Sequence, residues 1–342
     1  MTNDRKKKVL ITGASGFIGS FLVKEALRRD YEVWAGVRLT SSRANLQDER
    51  IRFISLQLND LEVLSCQLSN HKEEYGSWDY VIHNAGLTKA LNKADFYRVN
   101  AEYTNNLIKA LQLSEAVPEK FLLMSSLSTF GGGNDKTYEP IRPDSLQVPE
   151  TEYGKSKLEA ENYVRHQTLC PFVILRPTGV YGPGDKDYFM EIKSIQSGFD
   201  FAVGSPPQQL TFIYVKDLAE VAFVALESGK AINREYFVAD GEVYSDEDFA
   251  RMIQEILGKK HLFRARIPAP LVYMVCVCSE WIGKLLKKSM TLNTDKYRIL
   301  KQRNWICDAS LLQDELDFRP TYTLREGLTE AIAWYRENKW LK

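Results

Sequence analysis

Three glycines at three-residue spacing, Gly13, Gly16 and Gly19, place the strongest constraint on how this chain folds. They follow the apolar run Val9–Thr12 and open a periodic segment that runs to about Arg29, so strand, turn and helix succeed one another. In that order the glycines permit a tight turn, close approach of a pyrophosphate and helix–strand packing. The motif predicts a dinucleotide site rather than a glycine-rich turn without a ligand. The predicted contacts in this loop are Gly13, Ser15, Gly16, Phe17, Ile18 and Gly19.

The first half of the chain alternates short β-rich apolar runs with longer helical patterns. Strands are predicted at Val9–Thr12, Glu32–Val37, Arg52–Leu56, Tyr80–His83, Phe121–Met124 and Phe172–Leu175, and helices at about Phe17–Arg29, Phe96–Gln112 and Glu152–His166. Such alternation favours an α/β fold, a Rossmann-type doubly wound parallel sheet with its ligand at the carboxyl ends of the strands. Beyond Arg176 the pattern becomes irregular and rich in proline and glycine. We therefore predict an NAD(P)-binding Rossmann domain over residues 1–175, with 211–239 returning to it, and a smaller C-terminal substrate-binding lobe over 176–210 and 240–342.

Composition narrows the class of partner. The 45 basic and 45 acidic side chains cancel, which argues against nucleic acid and favours a small ligand. The five cysteines are scattered and odd in number, and the four histidines show no ligand spacing, so neither a disulfide framework nor a metal site is indicated. The N-terminus does not resemble a secretory signal, and we expect a cytoplasmic protein.

The end of the second predicted strand bears on the choice of cofactor. A carboxylate there bonds a ribose 2′-hydroxyl, whereas a guanidinium accommodates a 2′-phosphate. This chain has Arg38, followed by Ser41, Ser42 and Arg43, and no carboxylate in the stretch. The pattern favours NADP(H) and leaves NAD(H) possible, the alternative being that both arginines are only solvated surface residues.

Tyr153 and Lys157 lie four residues apart, on one face of a predicted helix. The same spacing recurs at Tyr297/Lys301 and Tyr335/Lys339, so context must select among the pairs. Only Tyr153 comes 27 residues after a strand that ends in a serine pair, which brings the hydroxyl of Ser126 to the same sheet edge. We expect Lys157 to lower the pKa of Tyr153, so that the phenol exchanges a proton with a substrate oxygen that Ser126 also bonds.

These residues resemble an extended short-chain dehydrogenase/reductase, the group that includes nucleotide-sugar epimerases and dehydratases, dihydroflavonol reductases and 3β-hydroxysteroid dehydrogenases. The resemblance covers nearly the whole chain. The matching stretches are Thr12–Gly19, His83–Gly86, Val99–Asn100, Ser125–Ser126 with Gly131, Tyr153–Lys157, Leu175–Gly184, Tyr214–Ala219 and Phe318–Pro320.

The resemblance implies a catalytic triad of Ser126, Tyr153 and Lys157, with Lys157 also bonding the nicotinamide ribose. The cofactor contacts expected beyond the glycine loop and the two arginines are Leu58, Ala85, Gly86, Tyr153, Lys157, Pro177 and Val180. The residues expected to contact the substrate are Thr88, Ser126, Thr178 and Tyr181. Gln57 departs from the pattern, because similar proteins often carry an aspartate toward the adenine at this position, and this weakens the adenine assignment alone.

Within the family, the residues favour simple hydride transfer. Leu127 and Ser128 stand where sugar 4,6-dehydratases carry the acid pair that expels water, so dehydration is disfavoured. Gly179 and Leu210 stand where epimerases typically hold a substrate diphosphate with asparagine and arginine. We therefore expect an oxidoreductase acting on a small, apolar ketone or alcohol. A nucleotide-sugar epimerase and a non-catalytic dinucleotide sensor remain as alternatives.

The segment Ile267–Lys288 combines the apolar stretch Leu271–Cys278 with Trp281 and several lysines. It reads as too short and too charged to span a bilayer, so no transmembrane segment is predicted. A lobe helix packed on the core is the simplest interpretation. An interfacial helix, with peripheral membrane contact near 271–288, and the wall of an apolar pocket are the alternatives. The resemblance also implies a homodimer through the helices near 96–112 and 152.

Overall fold

The computed structural model describes residues 5–286, 290 and 292–341. The strands are β1 Lys8–Thr12, β2 Glu32–Gly36, β3 Arg52–Ile54, β4 Tyr80–His83, β5 Lys120–Met124, β6 Phe172–Pro177, β7 Gly179–Tyr181, β8 Phe199–Val203, β9 Gln209–Leu210, β10 Phe212–Tyr214, β11 Arg234–Val238, β12 Tyr244–Ser245, β13 Phe263–Ile267 and β14 Asn304–Trp305. The helices are α1 Phe17–Arg28, α2 Leu61–Tyr75, α3 Lys93–Phe96, α4 Tyr103–Leu113, α5 Glu152–His166, α6 Asp187–Gln196, α7 Val215–Glu227, α8 Asp246–Leu257, α9 Ala269–Leu286, α10 Thr294–Lys301, α11 Ser310–Leu316 and α12 Leu324–Glu337.

Seven strands form one sheet in the order β11-β6-β5-β4-β1-β2-β3, and every neighbouring pair is parallel. The predicted doubly wound α/β fold is confirmed. Strand order reverses between β1 and β4, so the crevice that opens at their carboxyl ends is where ligands bind in such sheets. The glycine loop follows β1 at this point.

Apolar side chains leave the central strand on both faces, as burial by two helical layers requires. Val9 and Ile11 join a core that includes residues of α1 and α7, whereas Leu10 joins a second core with residues of α2, α4 and α5. Because both faces are covered, the ligand has access only at the strand ends.

Helix α2 was not predicted from the sequence. Asp60 caps it, its carboxylate accepting hydrogen bonds from the main-chain N–H groups of Glu62 and Val63, both at 3.1 Å. Only three of its fifteen residues are buried, Leu64, Leu68 and His71. So sparse an apolar stripe gives a weak helical period, which explains why the pattern did not reveal it.

The predicted helix over Phe96–Gln112 is not one regular helix. It begins at Lys93, passes through a π-helical segment, Tyr97–Glu102, and continues as α4. The π segment contains Asn100, which is fully buried beside the cleft described below. Insertions of this kind often occur at functional sites.

The remaining strands build small sheets outside the main one, β10 with β7, β12 with β9 and β14, and β13 with β8. They lie with α6, α8 and α12 over the carboxyl edge of the large sheet, where the aromatic rings of Phe212 and Phe249 stack at 4.7 Å. Strand β11 returns to the large sheet beside β6. The domain boundaries predicted from sequence stay a prediction.

Helix α9 differs from the expected packed lobe helix. Only Val272, Cys276 and Gly283 of its eighteen residues are buried. Among the described residues it is the one helix long and apolar enough, by length and composition, to cross a membrane. Lys287 and Lys288, which the sequence analysis included in this segment, lie outside the described residues.

Candidate active site

The glycine loop has the backbone geometry that a bound pyrophosphate requires. Gly13 has a φ of 66°, and a Cβ on it would lie 2.8 Å from the main chain of Ala85. A Cβ on Gly19 would lie 2.1 Å from the carbonyl oxygen of Gly13. Gly16 precedes α1 and no side chain caps that helix, so its first N–H groups are directed at the cleft. The loop therefore fits a dinucleotide phosphate.

A cleft of about 1870 Å³ runs from this loop, across the carboxyl edge of the sheet, to the second lobe. Pockets for one small molecule usually measure about 300–1,000 Å³. The space is therefore sufficient for a dinucleotide together with a second molecule. Predicted site residues that line it are Gly13, Ser15, Gly16, Phe17, Ile18, Arg38, Leu58, Ala85, Gly86, Thr88, Ser126, Tyr153, Pro177, Thr178 and Val180.

The structure separates the two arginines proposed for a 2′-phosphate. Arg38 and the adjacent Ser41 and Ser42 line the cleft. Arg43 does not, because its guanidinium stacks on the ring of Phe53 at 4.2 Å. Of the predicted pair, only Arg38 is placed to meet a cofactor.

Tyr181, expected to contact substrate, lies in the core instead of the cleft. Its side chain is 1% exposed and packs against Phe212 and Tyr214, and its hydroxyl lies 3.4 Å from the main-chain carbonyl of Thr323. A Cβ on Gly327 would overlap this ring. The side chain of Tyr181 therefore packs against the start of α12 and does not face the cleft.

Ser126 and Tyr153 meet at the middle of the cleft. Ser126 is the second residue after β5, and its hydroxyl accepts a bond from the N–H of Ser128 at 3.2 Å. Tyr153 is in the first turn of α5, which Thr151 caps by accepting from the N–H of Gly154 at 2.9 Å. Ser126 is close enough to the phenol of Tyr153 to act against the rise in its pKa that burial causes. The predicted pairing of these hydroxyls is therefore present.

Lys157 is buried one turn after Tyr153 and does not line the cleft. Its ammonium donates to the main-chain carbonyl of Met124 at 2.5 Å. Burial lowers the pKa of Lys157 to about 8, against the opposing charge of Glu161. The expectation that Lys157 lowers the pKa of Tyr153 is not met in this arrangement, since burial raises the tyrosine pKa and only the bond to Ser126 opposes it. The phenol is therefore held in its protonated form.

A buried ion pair fixes α5 against the sheet. The guanidinium of Arg176 donates to both carboxylate oxygens of Glu161 at 2.9 Å, and both side chains are at most 2% exposed. The hydroxyl of Ser125 donates to the same carboxylate at 2.5 Å. Because Ser125 precedes Ser126 and Glu161 lies one turn after Lys157, this network sets the separation between the serine and the catalytic helix. No sequence motif indicated this network.

Two further polar residues shape the floor of the cleft. Thr12 accepts from the N–H groups of Asn84 and Ala85 at 3.2 and 3.1 Å, and its hydroxyl lies 2.8 Å from Nδ1 of His83. Asn100 accepts from the N–H of Leu87 at 2.7 Å and donates to its carbonyl at 3.0 Å. Through these bonds, both residues fix the position of the loop that follows β4.

The far end of the cleft, in the second lobe, is lined by both apolar and charged groups. Phe199 and Phe201 lie beside Glu191, Lys296 and Arg264. Burial, with the nearby charge of Asp200, raises the pKa of Glu191 to about 7. This end has no counterpart among the sequence motifs, because its residues come from four separate elements, β8, α6, β13 and α10.

A sequence profile of the NAD dependent epimerase/dehydratase family matches residues 9–239. The chain belongs to this family. It is 28% identical to a UDP-glucose 4-epimerase of Vibrio cholerae, covering 98% of this chain and 99% of that protein. It is 25% identical to the decarboxylating sterol-4-alpha-carboxylate 3-dehydrogenase erg26 of Schizosaccharomyces pombe, covering 97% and 98%.

The structure of a UDP-glucuronic acid 4-epimerase from Bacillus cereus in complex with NAD superposes with a TM-score of 0.75 over 97% of this chain and 99% of that one, at 23% identity. This likeness confirms the fold. The family membership makes the chain an oxidoreductase of the extended short-chain type that uses a nicotinamide dinucleotide, as the sequence predicted.

Proposed function

We propose that this epimerase/dehydratase-family protein reduces a ketone to an alcohol with NADPH. The observation that carries the proposal is that Ser126 and Tyr153 both line the cleft, in the same opening as the glycine loop. Two hydroxyls so placed can both donate to a carbonyl oxygen, and the phenol can transfer its proton there as the hydride adds to the carbon.

In the proposed reaction, the dinucleotide supplies the hydride that adds to the carbonyl carbon. Ser126 and Tyr153 bind the carbonyl oxygen, and Tyr153 transfers its proton there as negative charge develops. Lys157, one helical turn after Tyr153, is buried and donates to the main-chain carbonyl of Met124, which anchors this helix to β5.

The choice of NADPH rests on Arg38. Its side chain lines the cleft near the glycine loop, with the hydroxyls of Ser41 and Ser42 beside it. No ion pair occupies Arg38 in the part of the chain that the structure describes. A guanidinium with free donors binds a phosphate dianion well, and a 2′-phosphate is the group that distinguishes NADPH from NADH.

The choice of a ketone rather than a nucleotide sugar rests on two positions, Gly179 between the cleft residues Thr178 and Val180, and Leu210 in the cleft. A Cβ on Gly179 would lie 2.2 Å from the hydroxyl of Tyr188, so the side chain of an asparagine does not fit there. Leu210 lines the cleft with an apolar side chain. A substrate diphosphate would lack both partners and would leave charged oxygens unpaired.

Nucleotide-sugar epimerisation is the second candidate. It is favoured by the similarity to the Vibrio cholerae epimerase and by two cations at the far end of the cleft, Arg264 and Lys296. The positive charge of Arg264 is partly neutralised by Asp200, whose carboxylate lies 3.1 Å from the guanidinium. The location in the cytoplasm and the homodimer stay predictions.

The deciding experiment follows NADPH absorbance with a panel of apolar ketones and, in parallel, incubates the protein and NAD⁺ with UDP-glucose and UDP-glucuronate. Reduction consumes one NADPH for each ketone reduced. An epimerase returns the hydride to its own substrate, so the absorbance stays constant while the sugar changes configuration. Turnover of the sugar with no consumption of NADPH on any ketone would replace the proposed function by the second candidate.

A further inference from the structure

The outer face of α9 is an exposed apolar surface. Three buried residues, Val272, Cys276 and Gly283, repeat at helical spacing and form a narrow inner stripe. Around the rest of the helix the large apolar side chains are between 41% and 71% exposed: Leu271, Tyr273, Met274, Val275, Val277, Trp281, Ile282, Leu285 and Leu286. Contiguous apolar surface of this extent on a soluble domain marks an interaction site.

A second apolar group lies directly before this helix. Phe199, Phe201 and Phe263 project from the paired strands β8 and β13, and each is about half exposed. Their rings lie together, with Phe199 stacked on Phe201 at 6.0 Å and set edge-on to Phe263 at 6.3 Å. Phe199 and Phe201 also line the cleft. The aromatic group therefore borders the active-site opening, and β13 leads from Phe263, its first residue, to the start of α9.

The inner side of α9 is also close to the catalytic residues. Glu280 and Gly283 line a small cavity together with Phe96, whose ring lies 6.3 Å from that of Tyr153. After the helix, Leu292 lines the cleft. The inner side of α9 therefore borders a cavity whose wall includes Phe96, and the segment after the helix reaches the cleft.

The topology indicates that α9 lies along a membrane surface and does not cross it. Strand β13, before the helix, pairs with β8, and α10, after it, packs back on the helix itself. The rings of Tyr273 and Tyr297 lie 5.1 Å apart, and Thr294 donates to Glu280 at 2.8 Å. A spanning helix would put its two ends on opposite sides of a bilayer about 30 Å thick, and these contacts tie both ends to one lobe.

The charges around the apolar surface match an acidic membrane. Lys284 is 64% exposed on the helix, and the sequence continues with Lys287 and Lys288. Lys259 and Lys260 precede β13 and are exposed. An apolar face flanked by lysines, with Trp281 at its centre, is the composition of helices that lie at the headgroup level of anionic bilayers.

We propose that α9 and the three phenylalanines form a membrane-docking surface for bilayers that contain acidic lipids. The substrate is then a ketone carried on a lipid, which enters the cleft from the bilayer past Phe199 and Phe201. The second statement rests on the proposed ketone reduction, whereas docking does not. At this opening the phenylalanine rings provide apolar contacts for a hydrocarbon chain or ring system, and the charged groups Glu191, Lys296 and Arg264 line the same end of the cleft.

The first test of this proposal is cosedimentation of the full chain with vesicles of phosphatidylcholine alone and with added phosphatidylglycerol. A Trp281→Glu/Leu285→Glu variant is compared with Leu113→Glu/Leu146→Glu, which places the same charges on exposed leucines outside the docking surface. We expect wild type and control to bind the acidic vesicles, and the α9 variant to bind at least about tenfold more weakly.

Absence of wild-type binding to acidic vesicles, or equal binding by the α9 variant, would overturn the docking surface. Wild-type self-association that the α9 variant abolishes, without vesicle binding, would assign the surface to a second copy of this chain and also overturn it. Analytical ultracentrifugation without lipid distinguishes that outcome.

The second test compares a water-soluble ketone with a long-chain ketone embedded in acidic vesicles. We expect the α9 variant to reduce the soluble ketone at the wild-type rate and the embedded ketone at least about tenfold more slowly. Equal rates on both would overturn the entry route. Failure to reduce any ketone would reject the proposed function, while the cosedimentation result would still decide docking.

Discussion

The two ends of the cleft are built on opposite principles. At the cofactor end, the backbone of the glycine loop is packed so closely that a Cβ on Gly13 would lie 2.8 Å from the main chain of Ala85. At the substrate end, large apolar side chains such as Phe199 and Phe201 are about half exposed. The first end matches a ligand of fixed shape, so short motifs specify it. The substrate end is built from side chains of separate elements, and no short sequence motif specifies it.

The largest effect is expected from Tyr153→Phe, which removes the proton donor and keeps the ring. A positioned general acid contributes roughly 10²–10⁴-fold, and we expect turnover to fall by about 10³-fold with unchanged cofactor affinity. Tyr297→Phe is the matched control, because Tyr297 has the same spacing to a lysine but lies outside the cleft. Steady-state rates and cofactor fluorescence measure both effects. Retained turnover in Tyr153→Phe would remove this residue from the reaction.

The next test concerns the network that fixes α5. Arg176→Met removes one of the two arginines that pair with the buried carboxylate of Glu161, and Arg165 at 2.7 Å remains. Loss of one member of a buried pair costs about 3–5 kcal/mol of unfolding free energy, and we expect about 3 kcal/mol because one arginine is kept. Arg234→Met breaks an ion pair with Glu315 whose arginine is half exposed, and we expect a loss below about 1 kcal/mol. Urea denaturation gives both values. Similar losses in the two variants would contradict a special role for the buried pair.

A smaller effect is expected at the cofactor end, from Arg38→Ala. Loss of a charge-assisted bond to a 2′-phosphate should weaken NADPH binding by about 10–100-fold and leave NADH binding nearly unchanged. Arg43→Ala should change neither, because Arg43 stacks on Phe53 away from the cleft. Fluorescence titration with both dinucleotides measures the four affinities. Tighter binding of NADH by the wild type would reject NADPH as the cofactor.

The smallest effect is expected at the substrate end, from Glu191→Gln. The pKa of Glu191 is raised from 4.5 to about 7 by burial, with Asp200 and Asp246 adding to the shift and Lys296 and Arg264 opposing it. A raised carboxyl pKa means that ionisation costs more in the folded state, so wild-type stability falls as pH rises from about 4.5 through 7.

Glu191→Gln removes that loss, and we expect its melting temperature to exceed wild type by on the order of 2 °C at pH 8 and to match it at pH 4.5. Glu73→Gln, exposed on α2, serves as the control. A gain of equal size at both pH values would show that the effect is not due to ionisation.

The pattern of apolar residues predicted most strands and helices of the Rossmann half, because strands that are buried on both faces appear as continuous apolar runs. Tyr80–His83 and Glu152–His166 were predicted to the residue. Helix α2 escaped, because three buried positions in fifteen produce little period. Tyr181 was misplaced because an aromatic beside a site motif has two directions open to it, and packing against Gly327 decided between them.

By itself, the sequence determined the doubly wound sheet, the glycine loop and the Ser126–Tyr153 pair, because each depends on residues near one another in the chain or at the ends of adjacent strands. Only the tertiary structure decided that Lys157 bonds to Met124, that Arg43 leaves the cleft, and that α9 is exposed. Those outcomes depend on which residues, far apart in the sequence, come into contact in the folded chain. Local sequence patterns do not contain that information.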